Sequence, residues 1–330
     1  MEIAKAIGVE RDPGLITAWR TPHLIHSSTT VAEKRRFAPS RLSPKAMDNS
    51  LPRSQQHPIS GVAPAYTEVF LDRNSSEDGS LSEKVVLIHG FTQGKWMWKD
   101  LIGLLAVETG MRICSIDAPG HLDSTELSYD LERLCEVLVD AFPSAHYVGY
   151  SMGARIAMTV AARYPQAVKS LVVISGNPGI RSRPQRIARI ASDERLAQEL
   201  EALDGDPDGF AAFLLRWISQ PLFGPLGDQT ESLRLRALNR PSALASSLRL
   251  IGAGTQEPVW GEMIEFGAPF RFIVGERDEK FLAIAQELVA KRGRPEELIV
   301  AKGSYHQVVS SSPQLVLDSL IEFYGGLTDG

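Results

Sequence analysis

The 330-residue chain is 43% hydrophobic and 23% charged, with a formal net charge of −5, a balance typical of globular proteins with a sizeable core. That charge excludes a nucleic-acid surface as the main function, and no apolar run approaches the roughly eighteen residues a membrane helix needs. The two cysteines, Cys114 and Cys135, fall in a strand-like and a helical run. They read as buried, inert thiols in a reducing compartment. There is no internal repeat and no paired metal-ligand spacing, so neither a metal nor an organic cofactor is expected.

Residues 1–64 read as a disordered extension or a transit peptide. Ser, Pro, Thr and Arg are scattered there without a sustained apolar period, and Lys34-Arg35-Arg36 adds basic character. Glu2, Glu10 and Asp12 run against the transit reading, because such peptides are poor in acids. Residues 65–71 are expected to form an early strand, and 74–82 a polar turn.

From Val85 onward, strand and helix patterns alternate. Val85 to His89 is a short buried strand, followed by a helix from about Trp96 to Glu108. Arg112 to Asp117 is the next strand and Tyr129 to Ala141 the next helix. A strand then enters Ser151, a helix runs to Tyr164, and Ser170 to Ser175 is strand again. Apolar strands separated by amphipathic helices predict a mostly parallel sheet with helices on both faces. Residues 180–262 read as helices only, which predicts a helical cap inserted between sheet segments 65–179 and 263–330. Strands resume at Phe270 to Val274 and Leu298 to Val300.

Gly149-Tyr150-Ser151-Met152-Gly153 lies where a strand meets a helix, so the glycines allow a sharp turn and Ser151 stands clear of both elements. A serine hydroxyl needs an adjacent base held by a third group. Asp278 and His306 each follow a strand, in the order Ser, Asp, His that α/β-hydrolases use. As alternatives, Asp278 reads as a turn or helix N-cap and His306 as a surface-loop histidine. The residue after the nucleophile, Met152, and Phe91, in the loop after the first core strand, are the expected N–H donors of an oxyanion hole. His89 and His121, each beside a glycine, read better as structural hydrogen-bonding groups.

With these residues placed, the chain from about 83 to 326 resembles the α/β-hydrolase superfamily. Within it, the chain is similar to the 2-succinyl-6-hydroxy-2,4-cyclohexadiene-1-carboxylate synthases of menaquinone and phylloquinone formation. The likeness rests on Gly149 to Arg155 (G-Y-S-M-G-A-R), on Trp217 with Gln220-Pro221-Leu222-Phe223, on Leu235 to Asn239, and on Gly275 to Phe281 (G-E-R-D-E-K-F). Ala154 and Tyr305 each stand where the family has glycine, and two further positions depart from its pattern. Leu122 replaces a glycine in the Pro119-Gly120-His121 turn, and Ser311 stands where a glutamate is usual.

The resemblance implies the α/β-hydrolase fold and a small polycarboxylate substrate. It also implies a lyase that eliminates pyruvate, with the triad acting as base on a ring proton. Tyr150, Arg155, Arg186, Arg189, Trp217 and Arg236 are then the candidate substrate-binding residues. Guanidinium groups bind carboxylates bidentately, at about 1.5–3 kcal/mol for each charge-assisted bond. Solvated helix faces remain the alternative for the arginines near 181–195, and cap core for Trp217. Two other functions stay open: a serine hydrolase of an ester or C–C bond, and a ligand receptor that keeps the triad without turnover. The extension suggests organelle import, with the plastid stroma as the address the resemblance implies, or else part of a longer fused polypeptide; the cytoplasm is the alternative location. The sequence does not specify the oligomeric state.

Overall fold

The computed structural model describes residues 52–58, 63–71, 83–225 and 227–328. Eight strands form one sheet: β1 (Pro52–His57), β2 (Tyr66–Leu71), β3 (Lys84–Ile88), β4 (Arg112–Ile116), β5 (Ala145–Tyr150), β6 (Val168–Ile174), β7 (Phe270–Gly275) and β8 (Leu298–Ala301). Their spatial order is β1-β2-β4-β3-β5-β6-β7-β8. The β1/β2 and β2/β4 pairs are antiparallel and the rest parallel. Together with the helices that follow the strands, this is an α/β-hydrolase fold.

Side chains on successive strand residues point to opposite faces, and β3 shows the consequence. Val86 and Ile88 join one core, while Val85 and Leu87 join the other. Helices α2 (Leu131–Ala141), α3 (Met152–Arg163), α8 (Trp260–Glu265) and α9 (Glu279–Arg292) contribute to the first core. Helices α1 (Lys99–Thr109) and α10 (Pro313–Thr328) contribute to the second. Residue chemistry sets several ends: the Asp130 carboxylate accepts from Arg133 N–H at 2.8 Å to cap α2, and Gly110 ends α1 in the left-handed region at φ 70°.

Between β6 and β7 the chain forms α4 (Arg183–Ala202), α5 (Pro207–Ile218), a 3₁₀ turn at Pro221–Phe223, α6 (Thr230–Arg236), α7 (Pro241–Ile251) and α8. Phe210, Phe213, Leu214, Leu244 and Leu248 give this segment a core of its own. Its underside rests on the strand carboxyl ends, where Trp217 meets Phe91 edge to face at 5.3 Å.

One boundary needs correction. Residues 52–57, expected to lie in the extension, form β1 and pair along their whole length with β2. The sequence Pro52 to His57 has no apolar alternation because an edge strand is held by backbone pairing and need not bury a face. Its side chains include His57, which stacks on Tyr66 at 4.2 Å and lies 3.6 Å from the Glu68 carboxylate, and Gln56, whose Oε1 accepts from Thr67 Oγ1 at 2.9 Å. The rest of the expected extension up to residue 51, and the polar turn at 74–82, lie outside the described residues.

Candidate active site

Ser151 sits between β5 and α3 at φ 53°, a left-handed conformation in a non-glycine residue. Its N–H donates to Ile174 O at 2.9 Å, which ties the turn to β6. The flanking glycines are there for backbone approach. A Cβ on Gly149 would lie 2.3 Å from Gly153 O, and one on Gly153 would lie 2.1 Å from Ile88 O.

His306 follows β8 and Asp278 follows β7, and the two loops lock together. Arg277 N–H donates to Ser304 O at 2.9 Å, and a Cβ on Gly275 would lie 2.3 Å from Tyr305 O. His306 Nδ1 lies 2.6 Å from Asp278 Oδ2, and His306 Nε2 lies 2.9 Å from Ser151 Oγ. The carboxylate holds the proton on Nδ1, leaving Nε2 to accept from the serine hydroxyl. Both Asp278 and His306 are 2% exposed, so this chain of bonds runs in a water-poor setting. The His306 ring packs against Phe281 at 4.5 Å, Tyr150 at 5.6 Å and Phe223 at 5.9 Å. Ser311 and Ser304 build a local hydroxyl cluster below the loop, with Ser304 Oγ 2.6 Å from Ser312 Oγ and Ser311 Oγ donating to Ser304 Oγ at 3.2 Å.

In the loop after β3 the Phe91 N–H stays free of the protein's own acceptors among the described residues. Gly90 O accepts from His89 Nδ1 at 2.7 Å and from Gln93 N–H at 3.2 Å, while Gly90 N–H donates to Gln93 Oε1 at 3.0 Å. In a trans peptide the N–H points opposite to the C=O, so fixing Gly90 O aims the Phe91 N–H the other way. Met152 N–H is a first-turn donor of α3, which has no partner within the helix. Among the described residues, neither N–H donates a hydrogen bond within the protein.

His89 and His121 hold this loop in place. Ala118 N–H donates to His89 Nε2 at 3.0 Å. Thr92 N–H donates to His121 Nε2 at 3.3 Å, and His121 Nδ1 donates to Pro119 O at 3.1 Å. Burial pushes the His89 pKa well below the usual histidine value and that of His121 down to about 4. Both rings are neutral, and each ties the β3 loop to the β4 loop. Lys95 reinforces the tie, since Asp117 accepts from its N–H at 2.7 Å and its Nζ at 2.8 Å. Leu122, in the turn after β4, is held at φ 40°.

The candidate arginines separate into two groups. Arg236 is 3% exposed. Its Nη1 donates to Thr92 Oγ1 and, at 3.3 Å, to Phe91 O. Arg155 Nη2 donates to Ile251 O at 3.0 Å, while its buried Nη1 has no partner. Burial lowers the pKa of each to about 10, with Arg189 adding repulsion at Arg155. Among the described residues neither makes a salt bridge to a carboxylate. The other two do: Arg186 pairs with Glu257 at 2.5 Å and Arg189 with Asp193 at 2.8 Å. Trp217 is half-buried, set between Phe91, Phe213 and Phe223. Tyr150 is buried, and burial pushes its hydroxyl pKa up. Lys280, not singled out from the sequence as a site residue, stands in the electrostatic reach of Asp278 and Arg189, and burial lowers its pKa. Its signal was its place two residues after Asp278.

Among the described residues no group of His, Cys, Asp and Glu is arranged to hold a metal, and no helix is long and apolar enough to cross a membrane. Residues 85–319 match the sequence profile of the alpha/beta hydrolase family. A Bacillus subtilis protein, named provisionally as 2-succinyl-6-hydroxy-2,4-cyclohexadiene-1-carboxylate synthase, is 33% identical over 263 residues, covering 76% of this chain and 93% of its own. The Enterobacter sp. (strain 638) protein of that name is 32% identical, covering 63% of this chain and 81% of its own. The solved structure of MenH from S. aureus superposes with a TM-score of 0.68 at 22% identity, over 79% of this chain and 98% of that one. Epoxide hydrolase A from Mycobacterium thermoresistibile superposes at 0.59 and 19% identity, over 82% of this chain and 98% of that one. The two structural likenesses concern the fold.

Proposed function

This chain belongs to the alpha/beta hydrolase family and is an enzyme of that fold; on that premise, we propose that it eliminates pyruvate from 2-succinyl-5-enolpyruvyl-6-hydroxy-3-cyclohexene-1-carboxylate. The product is 2-succinyl-6-hydroxy-2,4-cyclohexadiene-1-carboxylate. The observation that carries this reading is the pair of buried guanidiniums, Arg155 and Arg236, which among the described residues form no ion pair with a carboxylate, Asp193 acting on Arg155 only from a distance. Burying a cation without its partner is costly, and a substrate bearing several carboxylates supplies the missing anions. A pocket for a neutral ester has no use for them.

In the proposed mechanism Ser151, deprotonated by His306 as it reacts, takes the ring proton next to the acyl carbonyl. Asp278 holds the imidazole and stabilises its charge. The electron pair left on carbon spreads into the carbonyl oxygen, where the N–H groups of Phe91 and Met152 receive it. As that charge returns, the ring double bond shifts to make the conjugated diene, the ring C–O bond breaks, and pyruvate leaves as its enolate, which takes up the proton released through His306. Arg155 and Arg236 hold the substrate's carboxylates, and Tyr150 and Trp217 wall the ring. Arg186 and Arg189, already paired with Glu257 and Asp193, take part only by exchanging those partners.

Supplying the pyruvate-bearing precursor and following pyruvate release tests the proposal; no release by the folded protein refutes it. A serine hydrolase using the same triad is the second reading, favoured by the Nε2 to Oγ contact of 2.9 Å. Labelling by a fluorophosphonate with steady turnover of aryl esters would select it. Arg155→Ala separates the two, because it cripples the lyase and spares a neutral-ester hydrolase. The proposal includes a plastid address, with the cytoplasm as alternative, on the composition of the first 51 residues; imaging the full chain in cells tests that part.

A further inference from the structure

We propose that Asn239, on the cap, is the positioning residue that sets the oxyanion loop, its single amide holding the two left-handed turns on which the loop's shape depends. The inference rests on the reading of Phe91 N–H as an oxyanion donor. Thr92 is held at φ 65° and Leu122 at φ 40°. For a β-branched or bulky residue such a φ persists only where the surroundings enforce it. Asn239, 4% exposed, reaches both turns. Its Nδ2 donates to Thr92 O at 3.0 Å and to Arg236 O at 2.9 Å, and its Oδ1 accepts from Leu122 N–H at 3.1 Å. One N–H faces the oxygen and two carbonyls face the nitrogen, so only this orientation of the amide satisfies all three.

Thr92 directly follows Phe91, and the 91–92 peptide is gripped at both ends, by Arg236 at Phe91 O and by His121 at Thr92 N. The histidine belongs to the core and stays in place when the cap moves. Asn239 and Arg236 belong to the cap, three residues apart. Lifting the cap removes both together and leaves the 91–92 peptide held by His121 alone, which frees Thr92 to leave the left-handed region and loosens the loop that carries the Phe91 N–H. The donor loop is therefore held on both sides only when the cap is seated.

The test compares wild type with Asn239→Ala and with Asn239→Asp, which keeps the acceptor for Leu122 and loses the donor to Thr92. Pyruvate release and hydrogen exchange of residues 89–95 are measured on the full chain. Both variants should lose about 10²-fold in kcat, the scale of a 1 Å misplacement, with KM within about threefold of wild type. Exchange at 89–95 should quicken while α7 is unchanged. Unchanged exchange in either variant overturns the proposal, as does a rise in KM with kcat intact. If wild type releases no pyruvate the proposed function fails, and the exchange measurement alone decides the role of Asn239.

Discussion

Replacing Gly153 with alanine sets two effects against each other in one methyl group. Alanine is preferred over glycine in a helix by about 1 kcal/mol, and Gly153 is the second residue of α3. The new Cβ, however, would lie 2.1 Å from Ile88 O, 2.5 Å from Ile88 C and 2.7 Å from His89 O. A Cβ essentially never comes within 3.0 Å of a non-neighbouring heavy atom, so the helix has to retreat from β3 by about 1 Å. A gap of that size forfeits about a quarter to a half of the dispersion energy of each contact it opens. Helix α3 buries Met152, Ile156, Met158 and Val160 among others, so many contacts open at once. Overpacking against movable side chains costs about 1–3 kcal/mol; backbone against backbone places this site at about 3–5 kcal/mol. The net expectation is a loss of about 2–4 kcal/mol in urea unfolding at pH 7. Gly261→Ala is the matched control, since nothing lies within 4 Å of a Cβ there, and it should be neutral or up to about 1 kcal/mol stabilising. A Gly153→Ala protein within about 0.5 kcal/mol of wild type, the ordinary range for surface substitutions, would refute the close-approach account of the motif.

Ser151→Ala should abolish pyruvate release, by up to about 10⁶-fold, with an unchanged unfolding midpoint; near-normal turnover would remove Ser151 from the reaction. Arg155→Ala should raise KM for the precursor at least about tenfold, the value of one charge-assisted bond. The same change removes the unpartnered Nη1 together with the Nη2 bond to Ile251 O, two opposed effects on stability, so KM is the readout, and an unaltered KM would count against carboxylate binding there. His121, with its pKa depressed to about 4, binds a proton more readily unfolded than folded. Its contribution is therefore fully present above about pH 6.5 and lost as pH falls toward 4, about 3 kcal/mol across the window. His121→Gln should flatten the pH dependence of urea unfolding over that range, and an unchanged slope would contradict the assignment.

The alternation of strands and helices was legible because parallel strands buried on both faces are written as unbroken apolar runs, as in Val85 to Ile88. The same alternation put Ser151, Asp278 and His306 at strand ends, and the structure brings them within hydrogen-bond reach. A turn that usually has glycine also pointed to a left-handed position, and Leu122 occupies one. What was hidden depends on partners far away in the chain. Strand β1 is polar and held by backbone pairing, so no periodicity marks it. Arg186 and Arg236 look alike as letters, and only the folded cap shows that one meets Glu257 and the other meets the loop after β3. Asn239 is a single amide whose partners, Thr92 and Leu122, lie more than a hundred positions upstream.

The backbone N–H of His306 donates to Leu222 O at 3.2 Å, and the ring of Tyr305 fills the space where a Cβ on Gly224 would go. The Pro221–Phe223 turn is thus part of the scaffold of the base as well as the roof above it. Exchanging this cap for that of a relative would replace an acceptor on the catalytic loop along with the specificity surface. Cap and triad therefore have to diverge together, and a chimera grafted at the ends of β6 and β7 inherits a histidine loop fitted to a different roof.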